Sequence, residues 1–181
     1  MIKEFINSID SNSSLMSGKI GIEKESLRIS DLKLSKIPHE ELLGSALFNR
    51  YITTDFSDAQ IEFITPPFNQ NENVSSFLDN LHHYTSKKIN EEILWPLSMP
   101  PTRVVESEIP IAKYGKSNYG LLKEIYRRGL SNRYGKLMQT ISGVHFNYSL
   151  LEEIWDADIF FSKERKYAVA EPIIPPPTIV I

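Results

Sequence analysis

Apolar residues at Ile2, Phe5, Ile6 and Ile9 have helical spacing and predict a short amphipathic helix at the start of the chain. Asp10 to Ser14 reads as a polar loop. A strand is expected from Lys19 to about Ile29. Asp31 to Glu41 is mixed and reads as loop. Tyr51 to Thr65 is a second extended stretch, closed by Pro66-Pro67, which cannot continue a ladder. Val74, Phe77, Leu78, Leu81 and Ile89 form one face of a helix, with Ser75 or Ser76 as candidate cap. Trp95 to Pro110 is punctuated by proline and irregular. A second helical region covers Tyr119 to Met138, interrupted by Gly129 and Gly135. After a turn at Ser142-Gly143, Val144, Phe146, Tyr148 and Leu150 alternate with His145, Asn147 and Ser149 in the clearest strand of the chain.

Residues two apart on a strand share a face. Glu23 and Glu25 share one in the first strand, Gln60 and Glu62 in the second, and His145 and Asn147 in the third. Ile20 and Ile22, Ile61 and Phe63, and Val144, Phe146 and Tyr148 lie on the opposite faces. An antiparallel sheet with one wet face explains the alternation without further chemistry. The polar set is nevertheless rich in Glu and includes a His. Carboxylates placed together raise one another's pKa unless a cation sits among them. Mg²⁺ commonly binds through one or two such carboxylates plus substrate phosphates. Pattern alone leaves both readings open.

Composition narrows the field. The 181 residues are 41% hydrophobic and 24% charged, which excludes collagen-like, coiled-coil or wholly disordered chains. Cysteine is absent, so disulfides, thiolate metal sites and thiol nucleophiles are excluded. No apolar run approaches the roughly 20 residues that span a bilayer. No leader is recognisable at Met1 to Glu4, and the expectation is a soluble, cytoplasmic protein. The net charge of −3 is too mild to suggest nucleic acid or membrane as partner. The segment Lys113 to Lys136 is +6, leaving −9 for the remainder. That segment is either a solvated helix face or a field for an anion such as a nucleotide phosphate.

Other candidate motifs are weak. Gly115-Lys116-Ser117 resembles the end of a phosphate-binding loop, but the first glycine of that motif would fall at Pro110. His82-His83 has no acidic partner at metal-ligand spacing and reads as a surface or packed pair. Asn12, Asn73 and Asn147 lie in glycosylation sequons that matter only on secretion. No Ser has the flanking glycines of a nucleophile elbow.

Five ordered segments carry a family resemblance: GIEKESLR (Gly21 to Arg28), LGSAL (Leu43 to Leu47), ITTDFSDAQIEFITP (Ile52 to Pro66), WPLSMP (Trp95 to Pro100) and NRYGKLMQTISGVHFNYSL (Asn132 to Leu150). Together they resemble the proteobacterial type of glutamate–cysteine ligase over Gly18 to Leu150. The resemblance implies an α+β carboxylate–amine ligase fold, similar to glutamine synthetase, with a curved antiparallel sheet as active-site floor. It implies Mg²⁺ (or Mn²⁺) as cofactor, with ATP, L-glutamate and L-cysteine as substrates. The implied reaction forms γ-glutamylcysteine through a γ-glutamyl phosphate, the first step of glutathione synthesis.

Residue by residue, the resemblance implies that Glu23, Glu25, Glu62 and His145 bind metal. Asp55 lies in the same family block as a metal or substrate group, against the plain reading of a turn-forming Asp. Tyr126 and Leu130 match positions of the cysteine pocket, although core packing explains the same spacing. Arg127 is either a contact for a phosphate or substrate carboxylate, or a surface arginine.

Family members are much longer, and their later segments carry further site residues that have no counterpart here. Residues 1–150 are therefore expected to be the N-terminal part of the catalytic domain. Residues 151–181 are expected to be a divergent proline-rich tail, truncated or out of frame, that packs as no regular element. A missing C-terminal portion of the same enzyme is an expected partner. A sheet lacking strands exposes an edge and an apolar face, so the chain alone is expected to be poorly stable and weakly active. A non-catalytic Mg-ATP-binding module and a metal-dependent phosphohydrolase are the alternatives.

Overall fold

The computed structural model describes residues 18–69, 71–150 and 179–180. The expected N-terminal helix lies outside them, as does most of the tail. Strand β1 (Lys19–Ser30) is the spine of the fold. It turns through Asp31 and Leu32, both left-handed at φ 49° and 61°, into β2 (Lys33–Leu34). A two-residue turn with two positive φ angles matches the twist of a hairpin. The short helix α1 (His39–Leu43) follows. Asp31 to Glu41 is thus a hairpin and the start of a helix, not a loop. Its turn lacks the Asn-Gly signal that marks such hairpins in sequence.

The extended stretch Tyr51 to Thr65 is two strands, β3 (Ile52–Thr54) and β4 (Gln60–Ile64). They pair antiparallel, with Thr53 opposite Glu62, around a turn carrying Asp55. The turn is closed by Asp55 N donating to Gln60 O at 3.1 Å and Gln60 N to Ser57 O at 2.9 Å. Helix α2 (Asn71–Lys88) begins before Ser75 and Ser76, which are interior residues and not caps. Glu72 at its start and Lys87 and Lys88 at its end complement the helix dipole. β5 (Ile93–Leu94) follows, and Glu106–Glu108 forms a 3₁₀ turn within the irregular stretch.

Helix α3 (Asn118–Tyr134) is capped by Ser117, whose side chain accepts from Gly120 N. This is the structural role of the Gly-Lys-Ser run. Gly129 is accommodated within α3. Gly135, at φ 79°, separates it from α4 (Lys136–Gln139). β6 (Val144–Ser149) completes the predicted strands. Ile179–Val180 forms β7 and pairs with β6, Asn147 opposite Val180. The tail, expected to contribute no regular element, supplies a short strand on the far side of β6.

All strand pairs among the described residues are antiparallel, in the order β3-β4-β1-β6-β7, with β2 and β5 joined to the far end of β1. The sheet and few helices agree with the α+β expectation. Ile52, Ile61 and Phe63 are buried against Leu81 of α2 on the apolar face. Leu27, Ile29, Phe56 and Ile109 form a second core on the other face, with Leu130 packed against it.

Candidate functional site

The register of the sheet brings the three predicted polar strand faces together. Glu25 lies opposite Glu62, and Glu23 opposite His145. With the side-chain alternation of each strand, this places Glu62 on β4, Glu23 and Glu25 on β1, and His145 and Asn147 on β6 along one face. Asp55 stands at the end of β3, where the turn returns to that face.

Hydrogen bonds connect these groups to one another and to the backbone. His145 Nδ1 lies 3.3 Å from Glu23 Oε2, and Asn147 Nδ2 donates to Glu23 Oε1 at 3.1 Å. Gly143 N donates to Glu25 Oε2 at 2.9 Å, and Gln60 Nε2 reaches the same oxygen at 3.5 Å. The carboxylates are thus tied sideways. Among the described residues, no three His, Asp or Glu side chains converge as a preformed metal cage.

Burial pushes Glu25 upward, opposed by its bond from Gly143 and reinforced by Asp55. Burial also raises Asp55, opposed first by the Arg127 guanidinium. The effect is largest at Glu62, pushed up to about 7 by burial and then by the charges of Asp55, Glu23 and Glu25. Four carboxylates with one imidazole, carrying negative charge that Arg127 and His145 balance only in part, fit a hard divalent cation.

The remaining predicted residues lie on α3. Arg127 Nε donates to Asp55 O at 2.5 Å and Nη1 to Lys123 O at 3.1 Å, so this arginine is no idle surface group. Leu130 packs against the second core, which is the plainer of its two readings. Tyr126, one turn earlier, is 63% exposed. It lies on an apolar stripe with Leu122 and Ile125 that nothing among the described residues covers. The basic segment is mixed in use. Arg128 pairs with Glu124 at 2.7 Å, whereas Lys123 and Arg127 lie over the Tyr114 ring. His82 meets Lys24 Nζ at 3.0 Å and the edge of Phe63, a packed residue as expected.

Sequence reasoning missed Gly143 and Tyr114. The amide of Gly143 holds Glu25, and a backbone donor leaves no mark in residue type. The Tyr114 hydroxyl reaches the backbone of Thr54 and Asp55, about sixty positions away, so no local spacing reveals it.

Residues 4–170 match the family model described as Glutamate-cysteine ligase. The match continues 20 residues beyond Leu150, where the sequence resemblance was expected to fade. The glutamate–cysteine ligase of Yersinia enterocolitica is 51% identical over 138 residues, covering 76% of this chain and 27% of that protein. That of Aliivibrio fischeri is 48% identical over 177 residues, covering 93% of this chain and 34% of its own length. Among solved structures, the glutamate–cysteine ligase of Francisella tularensis in complex with AMP superposes with a TM-score of 0.74 at 34% identity. That superposition covers 86% of this chain and 30% of the other. A bifunctional glutathione synthetase from Pasteurella multocida gives a TM-score of 0.75 at 29% identity, covering 92% and 21%. The chain thus spans about a third or less of the length of these relatives.

Proposed function

Because this chain belongs to the glutamate–cysteine ligase family, we propose that its acid-lined sheet face is the metal–nucleotide floor of an ATP-dependent ligase. The substrates are L-glutamate, L-cysteine and Mg-ATP, and the product is γ-glutamylcysteine. The observation that supports this most is the set Glu23, Glu25, Asp55 and Glu62 beside His145, with Glu62 pushed up to about 7. A face that only meets water has no need to gather four carboxylates under partial burial.

In this reading Glu23, Glu25, Glu62 and His145 hold Mg²⁺ or Mn²⁺, with Asp55 at the margin of the set. Bound there, the ion would neutralise the β- and γ-phosphate oxygens that otherwise repel an incoming carboxylate. Gly143 and Gln60 orient Glu25, and Asn147 orients Glu23, so each keeps an oxygen directed by the sheet. Among the described residues, no acceptor engages Nη2 of Arg127, leaving that nitrogen to meet a phosphate or substrate carboxylate. The γ-carboxylate of glutamate attacks the terminal phosphorus of ATP and ADP departs. The cysteine amine then displaces phosphate from the γ-glutamyl phosphate, forming the amide. Tyr126 and Leu130 border the acceptor side, and residues beyond this chain complete the pocket. The carboxylate–amine ligase form of the fold and a cytoplasmic setting belong to the same proposal. Among the described residues, no helix is long and apolar enough to cross a membrane.

The test is ADP release from Mg-ATP with each amino acid omitted in turn. Release should require glutamate and increase with cysteine. It should be weak for this chain alone and rise when the remaining length of a relative is joined to it. ATP loss independent of both amino acids would identify a phosphohydrolase instead. Mg-ATP binding without turnover, even in the joined protein, would identify a non-catalytic module.

A further inference from the structure

Asp55 stands on a turn, and its carboxylate faces a cluster of its own sign. Burial opposes its charge, while Arg127, the amide of Phe56 and His145 favour it. Its backbone is held from outside the sheet. Tyr114 is buried, 3% exposed, and places its hydroxyl beneath the turn. The hydroxyl donates to Thr54 O at 2.8 Å, shares that proton with Asp55 O at 3.2 Å, and accepts from Thr54 Oγ1 at 3.0 Å. Asp55 O also accepts from Arg127 Nε. The guanidinium carbon of Arg127 lies 4.6 Å from the centre of the Tyr114 ring, and Lys123 Nζ lies 5.0 Å from it.

The same tyrosine sets the height of helix α3. A Cβ at Gly120 would stand 2.3 Å from Tyr114 O, so only glycine lets the first turn of α3 approach this closely. One residue therefore fixes both the turn bearing Asp55 and the helix bearing Arg127.

We propose that Tyr114 is a positioning residue for the metal site: with Arg127 it clamps the Thr54–Asp55 backbone and so aims the Asp55 carboxylate along the acid row. This rests on the reading of that row as a metal site. Tyr114 touches neither metal nor substrate in this role. The need for the hydroxyl separates clamping from filling space, since phenylalanine keeps the ring, its burial and its contacts with the two cations. Burial raises the pKa of the phenol, which keeps its proton available for donation.

The experiment is titration of the whole chain with Mn²⁺ alone, read by electron paramagnetic resonance, for the unchanged chain, Tyr114→Phe, Asp55→Asn and the double variant. Tyr114→Phe is expected to weaken Mn²⁺ binding about tenfold, the scale of lost outer-sphere support at metal sites. Its circular dichroism should match that of the unchanged chain, with a thermal midpoint lowered only modestly by the lost buried hydroxyl. The double variant should bind no more weakly than Asp55→Asn, because the tyrosine acts through the aspartate. Arg127→Lys, which keeps the charge and removes Nε, should weaken binding in the same direction and serves if Tyr114→Phe fails to fold. Unchanged affinity in Tyr114→Phe, with Asp55→Asn impaired, would overturn the positioning role alone. Losses that add fully in the double variant would overturn it as well. No Mn²⁺ binding by the unchanged chain would overturn the metal reading itself, and this inference with it.

Discussion

The two halves of β1 handle buried charge in opposite ways. In its C-terminal half Arg28 is 0% exposed, yet nearly every donor is engaged. Nη1 bonds Glu92 Oε2 at 2.8 Å and Ser35 Oγ at 3.0 Å, while Nη2 bonds Ile37 O at 2.6 Å and Asp58 O at 3.1 Å. Only Nε lacks an acceptor. Nearby His39 is driven down to about 4 by burial and then by Arg28, so it stays neutral where a second cation would be repelled. Toward its N-terminal end Glu23 and Glu25 lie beside Glu62 and Asp55, and the neighbouring negative charges raise Glu25 and Glu62. Depth does not distinguish a structural charge from a functional one. How completely the protein balances it does.

The largest effect that would break this contrast is Glu92→Ala. It leaves Arg28 buried and unpaired and should remove about 3–5 kcal/mol of stability, read by urea denaturation. A loss below about 1 kcal/mol would show that the ion pair is no joint. Next, Glu62→Gln should act in the opposite direction and stabilise the metal-free chain at pH 8 by about 2 kcal/mol, allowing for screening. The sign follows from proton counting. The folded chain keeps the Glu62 proton up to about 7, while the unfolded chain releases it near 4.5. The folded state binds more protons between those values, so stability falls as pH rises from about 4.5 to 7. Thermal midpoints at pH 5 and pH 8 check this, and Mn²⁺ should flatten the slope. A midpoint that rises with pH over that window would contradict it. The smallest effect sharpens the contrast on the apolar side: Val144 is 58% exposed, so Val144→Thr should change stability by less than about 0.5 kcal/mol.

Much of the open half was legible in the chain. Glu23 with Glu25, Gln60 with Glu62 and His145 with Asn147 each lie two apart, and an alternating strand must put them on one side. Which strands neighbour which is a long-range fact, and it came only with the register that sets Glu25 against Glu62. The closed half was nearly invisible. Arg28 reads as one more polar position, and its partner Glu92 is 64 residues away. The hairpin at Asp31-Leu32 was hidden for a different reason: beside Asp31 its left-handed turn places Leu32, a residue type that usually avoids that conformation, where glycine would have signalled it. On α3 the helical stripe was legible, but not that Leu122, Ile125 and Tyr126 would lack a cover. An apolar stripe predicts burial without saying which part of a longer polypeptide supplies it.

The length of β1 has a consequence for folding fidelity. Its 12 residues run through both halves without interruption. A shift in pairing by one residue turns every side chain to the opposite side. Such a slip would press Glu23 and Glu25 toward α2 and, in the same movement, drag Arg28 off its carboxylate. The error would thus be penalised at both ends at once, and the ion pair at one end acts as a phase lock for the acids at the other.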